Sequence, residues 1–436
     1  MSRAPALKSA GSASGAEAAQ LALPLPRRTE REAPAPPVGY RHRVAGLFAG
    51  IGGIERGLHR AQHKTVLLCE NEPAAKAVLE TRFSGIRLHD DVRRLRSLPR
   101  DVSLIAAGFP CQDLSQAGMT SGIEGEQSGL VGEVLRLVKK HSTPWVLLEN
   151  VPFMLQLAQG EAMHVITTAF EKNGYRWAYR VVDSRAFGRP QRRRRVYFLA
   201  SRVGDPRTVL FADDAGEPPE SDESWRNTAC GFYWTEGTRG LGWAIDATPT
   251  LKGGSGLGIP SPPAIVMPDG RIVTPHICDA ERLQGFPKNW TLPAERVAKP
   301  GMRWKLVGNA VGVDAAVWIG RRLARPRIPI DYETTPLTDH RHWPAAAWNV
   351  GRGRERVAAS EWPQRLPYHS LEAFLRLPPK PLSLKAASGF LQRAEQSRLR
   401  FQEGFLDALR AHIARLIPPT PVPVPATRPS AVADLA

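Results

Sequence analysis

The sequence contains little cysteine, with Cys69, Cys111, Cys230 and Cys278 the only four in a chain of 436 residues. Because they lie far apart and no two form a CxxC pair, neither a disulfide framework nor a zinc ribbon is expected. We predict reduced thiols, a reducing cellular compartment and no bound metal.

The sequence also lacks a run of eighteen apolar residues, and its first forty residues lack the apolar core of a signal peptide. A membrane span or a secretion signal would need such a segment. We therefore expect a protein that stays inside the cell and makes no membrane contact.

Acidic residues are in the minority, with 42 Asp and Glu against 59 Lys and Arg, which gives a formal net charge of +17. This excess favours a polyanionic partner. A basic, solvated surface explains the same composition, so the charge alone leaves both interpretations open. With 42% hydrophobic residues the chain can bury a large core.

Short apolar runs alternate with segments of helical periodicity between residues 43 and 200. The runs are VAGLF, TVLLCE, VSLIAAGFP, PWVLLEN and RVYFLA, and the intervening segments include PAAKAVLETRF and GLVGEVLRLVKK. This alternation predicts an α/β fold with a doubly wound, mostly parallel sheet. Ligands bind such sheets at the carboxyl ends of the strands.

Composition divides the rest of the chain. Residues 202–272 are rich in Gly, Pro and aromatic residues, which predicts a separate, irregular small domain. The full division has six parts: a disordered basic arm (1–40), the α/β domain (41–201), the small domain (202–272), a return to the α/β domain (273–328), a C-terminal helical extension (329–417) and a Pro-rich tail (418–436). Within the extension, one helix is predicted across residues 388–416.

A candidate ligand-binding turn, FAGIGG, spans residues 48–53 after the first strand, where small residues let backbone N–H groups approach a ligand. Its spacing is not GxGxxG, so the dinucleotide fingerprint fits poorly. Glu70 ends the next strand and can accept both hydroxyls of a ribose, and Asp91 can accept a hydrogen bond from an adenine amino group. A purely structural turn and ordinary exposed acids are the alternatives.

The segment GFPCQDLS supplies a candidate nucleophile. An isolated Cys is usually a small buried hydrophobe, which we predict for Cys69. Cys111 differs because Gly108 and Pro110 predict a rigid, exposed turn at the carboxyl end of a strand, where a thiolate can meet a substrate. Glu149 ends the next strand, so a thiol and a carboxyl group share one edge of the sheet.

QRRRRVYF is a basic segment that enters a strand. Extended geometry places Gln191, Arg193 and Arg195 on one side and the two intervening arginines on the other. A phosphate or base contact and a merely solvated charged face are both consistent with this pattern. In the later segment GNAVG, Asn309 is predicted to open a helix.

Six motifs occur in the order and approximate spacing of the cytosine-C5 DNA methyltransferase family, which the chain resembles over residues of about 43 to 325. They are FAGIGG, PCQ, ENV, QxRxR, RLQGFP and GNAV. The resemblance implies a Rossmann-like methyltransferase fold, S-adenosylmethionine (SAM) as methyl donor and double-stranded DNA as substrate. It also implies that the small domain reads the DNA target.

The resemblance assigns candidate binding residues. For SAM these are Phe48, Gly50, Gly52, Gly53, Glu70, Asp91, Val92, Gly108, Asn309 and Val311. For DNA they are Gln112, Ser115, Gln191, Arg239, Thr250, Leu251, Gly253 and Gly254. Arg239 is the candidate for reading a guanine, with a phosphate contact as the alternative.

The reaction that the resemblance implies begins with a flipped cytosine, because the ring cannot be reached inside a stacked duplex. Cys111 adds to carbon 6 and thereby activates carbon 5 for methylation. A free thiol has a pKa of about 8.5, so nearby Arg193 and Arg195 are candidates for favouring the thiolate. Glu149 is expected to bridge ring N3 and the exocyclic amine and to neutralise developing charge.

The sequence departs from the family pattern in three places: Leu114 stands in place of Phe, Ser128 in place of Arg, and the pair Cys278-Asp279 in place of Arg-Glu. We expect the second change to affect a phosphate contact and the third to weaken an internal ion pair.

Three other functions are alternatives to a DNA methyltransferase. A tRNA cytosine methyltransferase would share the catalytic motifs, and a catalytically idle DNA-binding regulator would not need them. A nicotinamide dehydrogenase would have no use for PCQ and ENV. We expect a cytoplasmic, nucleoid-associated monomer. Whether it has a companion restriction endonuclease or is a solitary methyltransferase stays open at this point.

Overall fold

The computed structural model describes residues 41–109, 129–218, 224–238, 240–254 and 260–417. Cys111, Gln112, Ser115 and Arg239 lie outside these ranges, as do Leu114 and Ser128. Within them, no helix has both the length and the apolar character that a membrane crossing requires.

The described strands are β1 (Arg43–Leu47), β2 (Lys64–Cys69), β3 (Arg87–His89), β4 (Leu104–Gly108), β5 (Trp145–Asn150), β6 (Arg176–Asp183), β7 (Gln191–Arg192), β8 (Arg194–Ser201), β9 (Cys230–Phe232), β10 (Ala244–Ile245), β11 (Thr248–Pro249), β12 (Ala264–Val266), β13 (Ile272–Thr274), β14 (Thr334–Pro336), β15 (Ala346–Asn349), β16 (Arg354–Val357) and β17 (Lys380–Pro381).

The described α-helices are α1 (Gly53–Arg60), α2 (Pro73–Arg82), α3 (Leu130–His141), α4 (Glu161–Lys172), α5 (Arg207–Leu210), α6 (Ile277–Leu283), α7 (Met302–Asn309), α8 (Val313–Ala324), α9 (Leu371–Phe374), α10 (Leu384–Glu395) and α11 (Phe405–Leu416). Short 3-10 helices span Val92–Arg94, Pro152–Leu155, Ser184–Phe187 and Leu292–Arg296.

The large sheet has the described strand order β14-β16-β15-β6-β8-β5-β4-β1-β2-β3. The half from β5 to β3 is parallel, and the other half is antiparallel. The predicted α/β fold with a wound sheet is confirmed. The sheet is more mixed than expected because a short connection joins β6 to β8 and the C-terminal residues add three antiparallel strands.

Strand β5 shows why these apolar runs form central strands, since every residue of WVLLEN is buried. Val146 and Leu148 pack in the core with α3 and α4, whereas Leu147 packs in the core with α1 and α8. A strand covered by helices on both faces needs a continuous apolar run. Its end, Glu149 and Asn150, reaches the sheet edge where β1, β2 and β4 also end.

A smaller antiparallel sheet has the order β10-β9-β12-β13-β17. A separate parallel pair, β7 with β11, places Gln191 opposite Thr248 and Arg192 opposite Pro249. This pair therefore connects the basic segment that leads into β8 with the stretch of chain between β10 and β12 of the smaller sheet.

The C-terminal extension differs from the helical segment that was expected. Its residues 334–357 form β14, β15 and β16, and β15 pairs with β6 of the large sheet. The single helix expected across 388–416 is instead two helices, and Gly404, with φ of +79°, precedes the second. Such a φ favours glycine and interrupts a continuous helix.

The small domain also begins later than expected. Residues of α5 and its C-terminal neighbours pack on the large sheet, because the buried Arg180 of β6 donates to the carbonyl oxygens of Leu210 and Asp213. Phe211 is fully buried in the same core. Residues up to about 213 therefore belong with the catalytic sheet.

Helix α1 carries a buried acid in its first turn. Glu55 is 1% exposed and lies against Gly46 of β1, and its Oε2 has no hydrogen-bond partner among the described residues. Burial raises the pKa of Glu55 from 4.5 to about 8; a hydrogen bond to its own backbone N–H opposes this, and the charge of Glu70 adds to it.

Replacement of Glu55 by Gln should flatten the pH dependence of stability. Below pH 4.5 the carboxyl is neutral in both states; between 4.5 and about 8 it ionises only in the unfolded state, so stability falls as pH rises. The free energy of unfolding should fall by about 1 kcal/mol per pH unit within that window in the wild type.

Urea unfolding between pH 5 and 9 measures this effect, with Glu80→Gln on the exposed face of α2 as the matched control. The wild type and the control should lose stability in parallel, while Glu55→Gln loses less. Identical slopes for all three proteins would show that Glu55 is not the titrating group.

Candidate active site

The turn after β1 brings the FAGIGG segment to the carboxyl end of the sheet. Phe48, Gly50 and Gly52 all have positive φ, of 53°, 55° and 82°, and α1 begins at Gly53. A Cβ on Gly50 would meet nothing within 4 Å, whereas one on Gly53 would lie 2.2 Å from the carbonyl oxygen of Val311. Gly50 therefore borders open space, and Gly53 lets the GNAV segment pack against the turn.

Glu70 is held rigidly beside this turn. Its Oε2 accepts a hydrogen bond from the backbone N–H of Gly50 at 2.7 Å, and its Oε1 accepts from those of Asn71 at 2.9 Å and Glu72 at 2.8 Å. A carboxylate has about four lone-pair sites, so capacity remains for a ligand hydroxyl. The arrangement fits the predicted role of Glu70 at a ribose.

Asp91 lies beyond β3, the neighbour of β2. Its Oδ1 accepts a hydrogen bond from the backbone N–H of Arg93 at 3.0 Å, and it caps the short helix that begins at the buried Val92. Its second oxygen, Oδ2, accepts no hydrogen bond that the structure records in the described ranges. Glu70 and Asp91 thus follow adjacent strands, as the sequence predicted.

Gly108 ends β4 directly opposite Glu149 of β5. A Cβ at Gly108 would lie 3.2 Å from Val311 Cγ2 and 3.3 Å from Glu149 Oε2. Next to it, the side-chain amide of Asn150 donates to the carbonyl oxygen of Phe109 at 3.1 Å. These contacts fix the chain at the point where the segment bearing Cys111 begins, although Cys111 itself lies outside the described ranges.

Glu149 is a buried carboxyl group, 7% exposed, beside a guanidinium. Arg195 Nε lies 3.1 Å from Glu149 Oε1, a distance typical of an ion pair. Burial raises the pKa of Glu149, and the charges of Arg195 and Arg193 oppose that rise. A buried carboxyl group thus lies directly beside positive charge at the end of β5.

Arg193 is buried, 1% exposed, and donates to three backbone carbonyl oxygens. These belong to Leu251 at 3.4 Å, Gly308 at 3.3 Å and Ala310 at 2.5 Å. Burial and the charge of Arg195 lower the pKa of Arg193. Its described contacts are those of a positioning residue that joins the GNAV turn to the segment after β11.

Gln191 and Leu251 require a correction, because both were predicted to bind DNA. The Gln191 side chain is fully buried, donating to the carbonyl oxygen of Leu283 at 3.1 Å and accepting from the N–H of Leu251 at 3.2 Å. Leu251 is 2% exposed in a core with α6 and α7. The alternation along QRRRRVYF is confirmed, but its buried side supports the backbone instead of facing DNA.

Asn309 also differs from its prediction, since it ends α7 and the next helix begins at Val313. Its side chain is close to Gly253, where an added Cβ would lie 2.1 Å from Asn309 Oδ1. Asn309 therefore faces the segment after β11, while Val311, two residues later, faces Gly53 and Gly108.

A cleft of about 660 Å³ opens beside Arg195. It is lined by Val151, Pro152, Arg192, Arg194, Arg195, Tyr233, Gly242, Trp243, Pro249, Thr250, Leu251, Lys252, Gly253, Gly254, Gly308 and Asn309. The predicted residues Thr250, Gly253 and Gly254 are thus brought together with basic side chains. A base and its phosphates need such a combination of space and positive charge.

Tyr233 and Lys252 are site residues whose contacts the sequence did not reveal. The Tyr233 hydroxyl donates to the carbonyl oxygen of Thr250 at 2.7 Å, and Lys252 Nζ lies 3.6 Å from the centre of the Tyr233 ring. Lys252 also forms an ion pair with Glu236. The signal available in the sequence was only the Gly-rich context with interleaved aromatics.

The three described cysteines are buried, and Cys69 conforms to its prediction as a small buried hydrophobe. Burial first, and then the charges of Glu70, Asp91 and Asp90, raise the pKa of Cys69 to about 12. It is therefore no thiolate nucleophile. Among the residues that the structure describes, no cluster of His, Cys, Asp and Glu is placed to hold a metal ion.

Comparison with known proteins places this site in a family. The model of the C-5 cytosine-specific DNA methylase family matches residues 42–230. The chain is 46% identical over 380 residues to type II methyltransferase M2.BsuMI of Bacillus subtilis (strain 168), covering 84% of this chain and 97% of that protein.

Two further relatives agree. Type II methyltransferase M.Bsp6I of Bacillus sp. is 30% identical over 303 residues, covering 62% of this chain and 94% of that protein. Type II methyltransferase M.MspI of Moraxella sp. is 28% identical over 301 residues, covering 64% of this chain and 69% of that protein.

The wound sheet and the motifs gathered at its edge are those of a methyltransferase, and the chain belongs to the C-5 cytosine-specific DNA methylase family. It is an enzyme that methylates cytosine in DNA at carbon 5. The dehydrogenase and idle-regulator alternatives are not supported.

Replacement of Arg193 by Met should destabilise the protein by about 2–4 kcal/mol, because three buried carbonyl groups lose their donor. Arg193→Lys should not restore stability, since an ammonium lacks the planar fork that spans these carbonyls. Urea unfolding measures both variants. The exposed neighbour Arg192→Met is the control and should change stability by less than about 1 kcal/mol; equal losses for the two methionine variants would contradict the positioning role.

Proposed function

We propose that the enzyme transfers the methyl group of SAM to carbon 5 of a flipped cytosine in a defined double-stranded DNA sequence, through a covalent bond to Cys111. The observation that carries this proposal is the position of Glu149. It is a buried carboxyl beside Arg195, at the end of the strand adjacent to β4, and β4 leads directly into the Pro110–Gln112 segment.

The residues at the ends of β1 and β2 fit SAM. Gly50 borders open space and has its N–H turned toward Glu70, and Glu70 is oriented by three backbone donors. Phe48, Glu70, Asp91 and Val92 would hold the cofactor, with Gly52, Gly53, Gly108 and Val311 shaping its pocket. When bound, SAM supplies an electrophilic sulfonium methyl group.

The chain's own groups perform the remaining steps. The Cys111 thiolate adds to carbon 6 of the cytosine, and Glu149, holding a proton, donates it to ring N3 as negative charge develops there. Arg195 opposes the burial-driven rise in the pKa of Glu149, which keeps that proton transferable. After methylation, ring N3 returns its proton to Glu149, a base removes the carbon 5 proton, and the Cys111 thiolate leaves as the aromatic ring is restored.

DNA recognition is proposed for the smaller sheet and its loops. The cleft contains Arg192, Arg194, Arg195 and Lys252, and the segment at residues 238–240, including Arg239, follows Tyr233 of the cleft wall. A chemical site that accepts any cytosine must leave sequence reading to elements that reach base edges in the grooves. The type II names of the relatives are consistent with a companion restriction endonuclease.

Methylation sequencing of DNA from a methylation-free host that expresses the protein tests the proposed substrate. It should show 5-methylcytosine at one recurrent sequence. Methylation at every cytosine, or only in RNA, would contradict the proposal of a defined double-stranded DNA target.

The variant Cys111→Ala should lose methyl transfer and keep DNA affinity, because the thiol supplies the covalent bond while phosphate contacts supply most of the affinity. Transfer of radiolabelled methyl groups and gel-shift titration measure the two properties. Cys69→Ala, at a buried thiol with a raised pKa, is the control and should remain active.

Duplex DNA with 5-fluorocytosine at the target should trap the wild-type enzyme, since fluorine prevents the final elimination. The trapped complex should require SAM and should be absent with Cys111→Ala. Normal turnover by that variant would rule out the covalent mechanism.

The variant Glu70→Gln should weaken SAM binding by about 1–3 kcal/mol, because an amide nitrogen cannot accept the hydrogen bonds that orient this group. Isothermal titration calorimetry measures the affinity. Glu72→Gln, whose carboxylate pairs with Lys305, is the control and should bind SAM normally. Unchanged affinity in Glu70→Gln would mean that the cofactor lies elsewhere.

A further inference from the structure

The smaller sheet is completed by residues from the far end of the chain. Strand β17 pairs with β13 through Val273 opposite Pro381 and Thr274 opposite Lys380. Beyond it, the N–H of Leu382 donates to the carbonyl oxygen of Ile272 at 2.9 Å. The smaller sheet, whose β9–β10 connection lines the cleft, therefore includes a strand from the segment that was expected to form a separate extension.

The apolar face of this sheet is covered by α10 and α11. Phe232 of β9 lies 5.2 Å, centre to centre, from both Phe390 and Phe405, and Trp243 lies 5.1 Å from Phe405. Phe232, Phe390 and Phe405 are all fully buried. The two C-terminal helices thus form one hydrophobic core with the sheet.

Hydrogen bonds to Asp279 connect this C-terminal segment to the catalytic domain. Asp279 of α6 is fully buried and accepts hydrogen bonds from the backbone N–H groups of Arg376 and Leu377. Arg282 pairs with Asp279 and lies 4.4 Å from the centre of the Phe374 ring. Asp279, at one of the departures from the family pattern, therefore pairs with Arg282 and also anchors the extension.

Arg393 of α10 makes the contact that points to DNA recognition. Its Nε donates to the carbonyl oxygen of Glu236 at 3.0 Å and its Nη2 to that of Trp234 at 2.8 Å. A Cβ on Gly237 would lie 3.0 Å from the Phe390 ring. The C-terminal helix therefore holds the backbone directly before residues 238–240.

The segment that Arg393 holds is a tight turn at the edge of the cleft. The N–H of Gly237 donates to the carbonyl oxygen of Gly240 at 3.2 Å, and that of Tyr233 to the carbonyl oxygen of Leu241 at 2.9 Å. Glu236 pairs with Lys252, whose side chain lines the cleft. Arg393 thus acts on both the turn and, through Glu236, a basic residue at the DNA.

A helical pair that served only to cover the sheet would need apolar contacts and no guanidinium fork. Arg393 instead donates two hydrogen bonds to two backbone carbonyl groups of one turn. This geometry fixes the backbone conformation at those carbonyl groups. Base readout depends on where a side chain is carried relative to the groove, so a change in the turn changes which bases are read.

We propose that residues 380–417 are an integral part of the target-recognition unit and that Arg393 is a positioning residue for sequence choice, acting through the turn to which residues 234–238 and 240–241 belong. This inference rests on the proposed function, in which the smaller sheet reads the DNA. Arg393 has no contact with the catalytic groups in the described structure, so its effect is on discrimination and not on methyl transfer.

The test compares full-length wild type, Arg393→Met and the control Arg398→Met, which changes an exposed arginine just beyond α10. Methylome sequencing in a methylation-free host identifies the cognate site. Single-turnover methylation rates are then measured on the cognate duplex and on duplexes with one changed base pair.

Arg393→Met should lose about tenfold or more of the discrimination against at least one changed base pair, of the order that one mismatched base pair contributes to specificity. SAM affinity should stay unchanged, and Arg398→Met should discriminate as the wild type does. Unchanged discrimination in Arg393→Met, with only a lower unfolding midpoint, would assign Arg393 a structural role and overturn the proposal.

Two further comparisons keep the result decisive. If Arg393→Met does not fold, Arg393→Lys is measured on the same duplexes. Lysine keeps the charge and the aliphatic stem but cannot donate to both carbonyl groups from one planar fork. Wild-type discrimination by Arg393→Lys would overturn the proposal. Failure of the proposed function is seen separately, because then the wild type itself would show no sequence preference.

Discussion

The close packing of the turn from Gly308 to Val311 is the constraint on which the rest of the site depends. A Cβ on Gly308 would lie 2.1 Å from the carbonyl carbon of Lys252, and one on Gly53 would lie 2.2 Å from the carbonyl oxygen of Val311. Arg193 donates hydrogen bonds to the carbonyl oxygens of Gly308 and Ala310 in the same turn. The FAGIGG turn, the end of β4 and the segment after β11 therefore all pack against these four residues.

Charged side chains lie next to the same junction. Burial raises the pKa of Glu149, whereas the charges of Arg195, at 3.1 Å, and of the buried Arg193 oppose that rise. Arg193 is held by backbone carbonyl groups, so its charge is stationary. In the proposed mechanism Glu149 donates a proton to a ring nitrogen of the substrate, and these fixed charges help to set how readily that proton leaves.

The smaller sheet beside the cleft, for which DNA recognition is proposed, is assembled from chain segments far apart in the sequence. Strand β9 and its neighbours form the sheet, and β17, α10 and α11 complete and cover it. A small sheet of short strands buries too little apolar area to be stable alone, so its loops need an external support. Arg393 connects α10 to the turn after β9, and the hydrogen bonds of Asp279 connect the C-terminal segment to the catalytic domain.

Parts of the structure with local signals could be predicted from the residues alone. Apolar runs with intervening helical periodicity identified the strands of the parallel half, and Phe48, Glu70, Gly108 and Glu149 lie at strand ends as their positions indicated. Other features became visible only in the folded chain: residues 334–357 join the large sheet, β17 joins the smaller one, and Gln191 and Leu251 face inward. Strands that pair across more than a hundred residues depend on partners that are distant in the sequence. So does a polar side chain that is buried against backbone groups, and no local pattern encodes such partners.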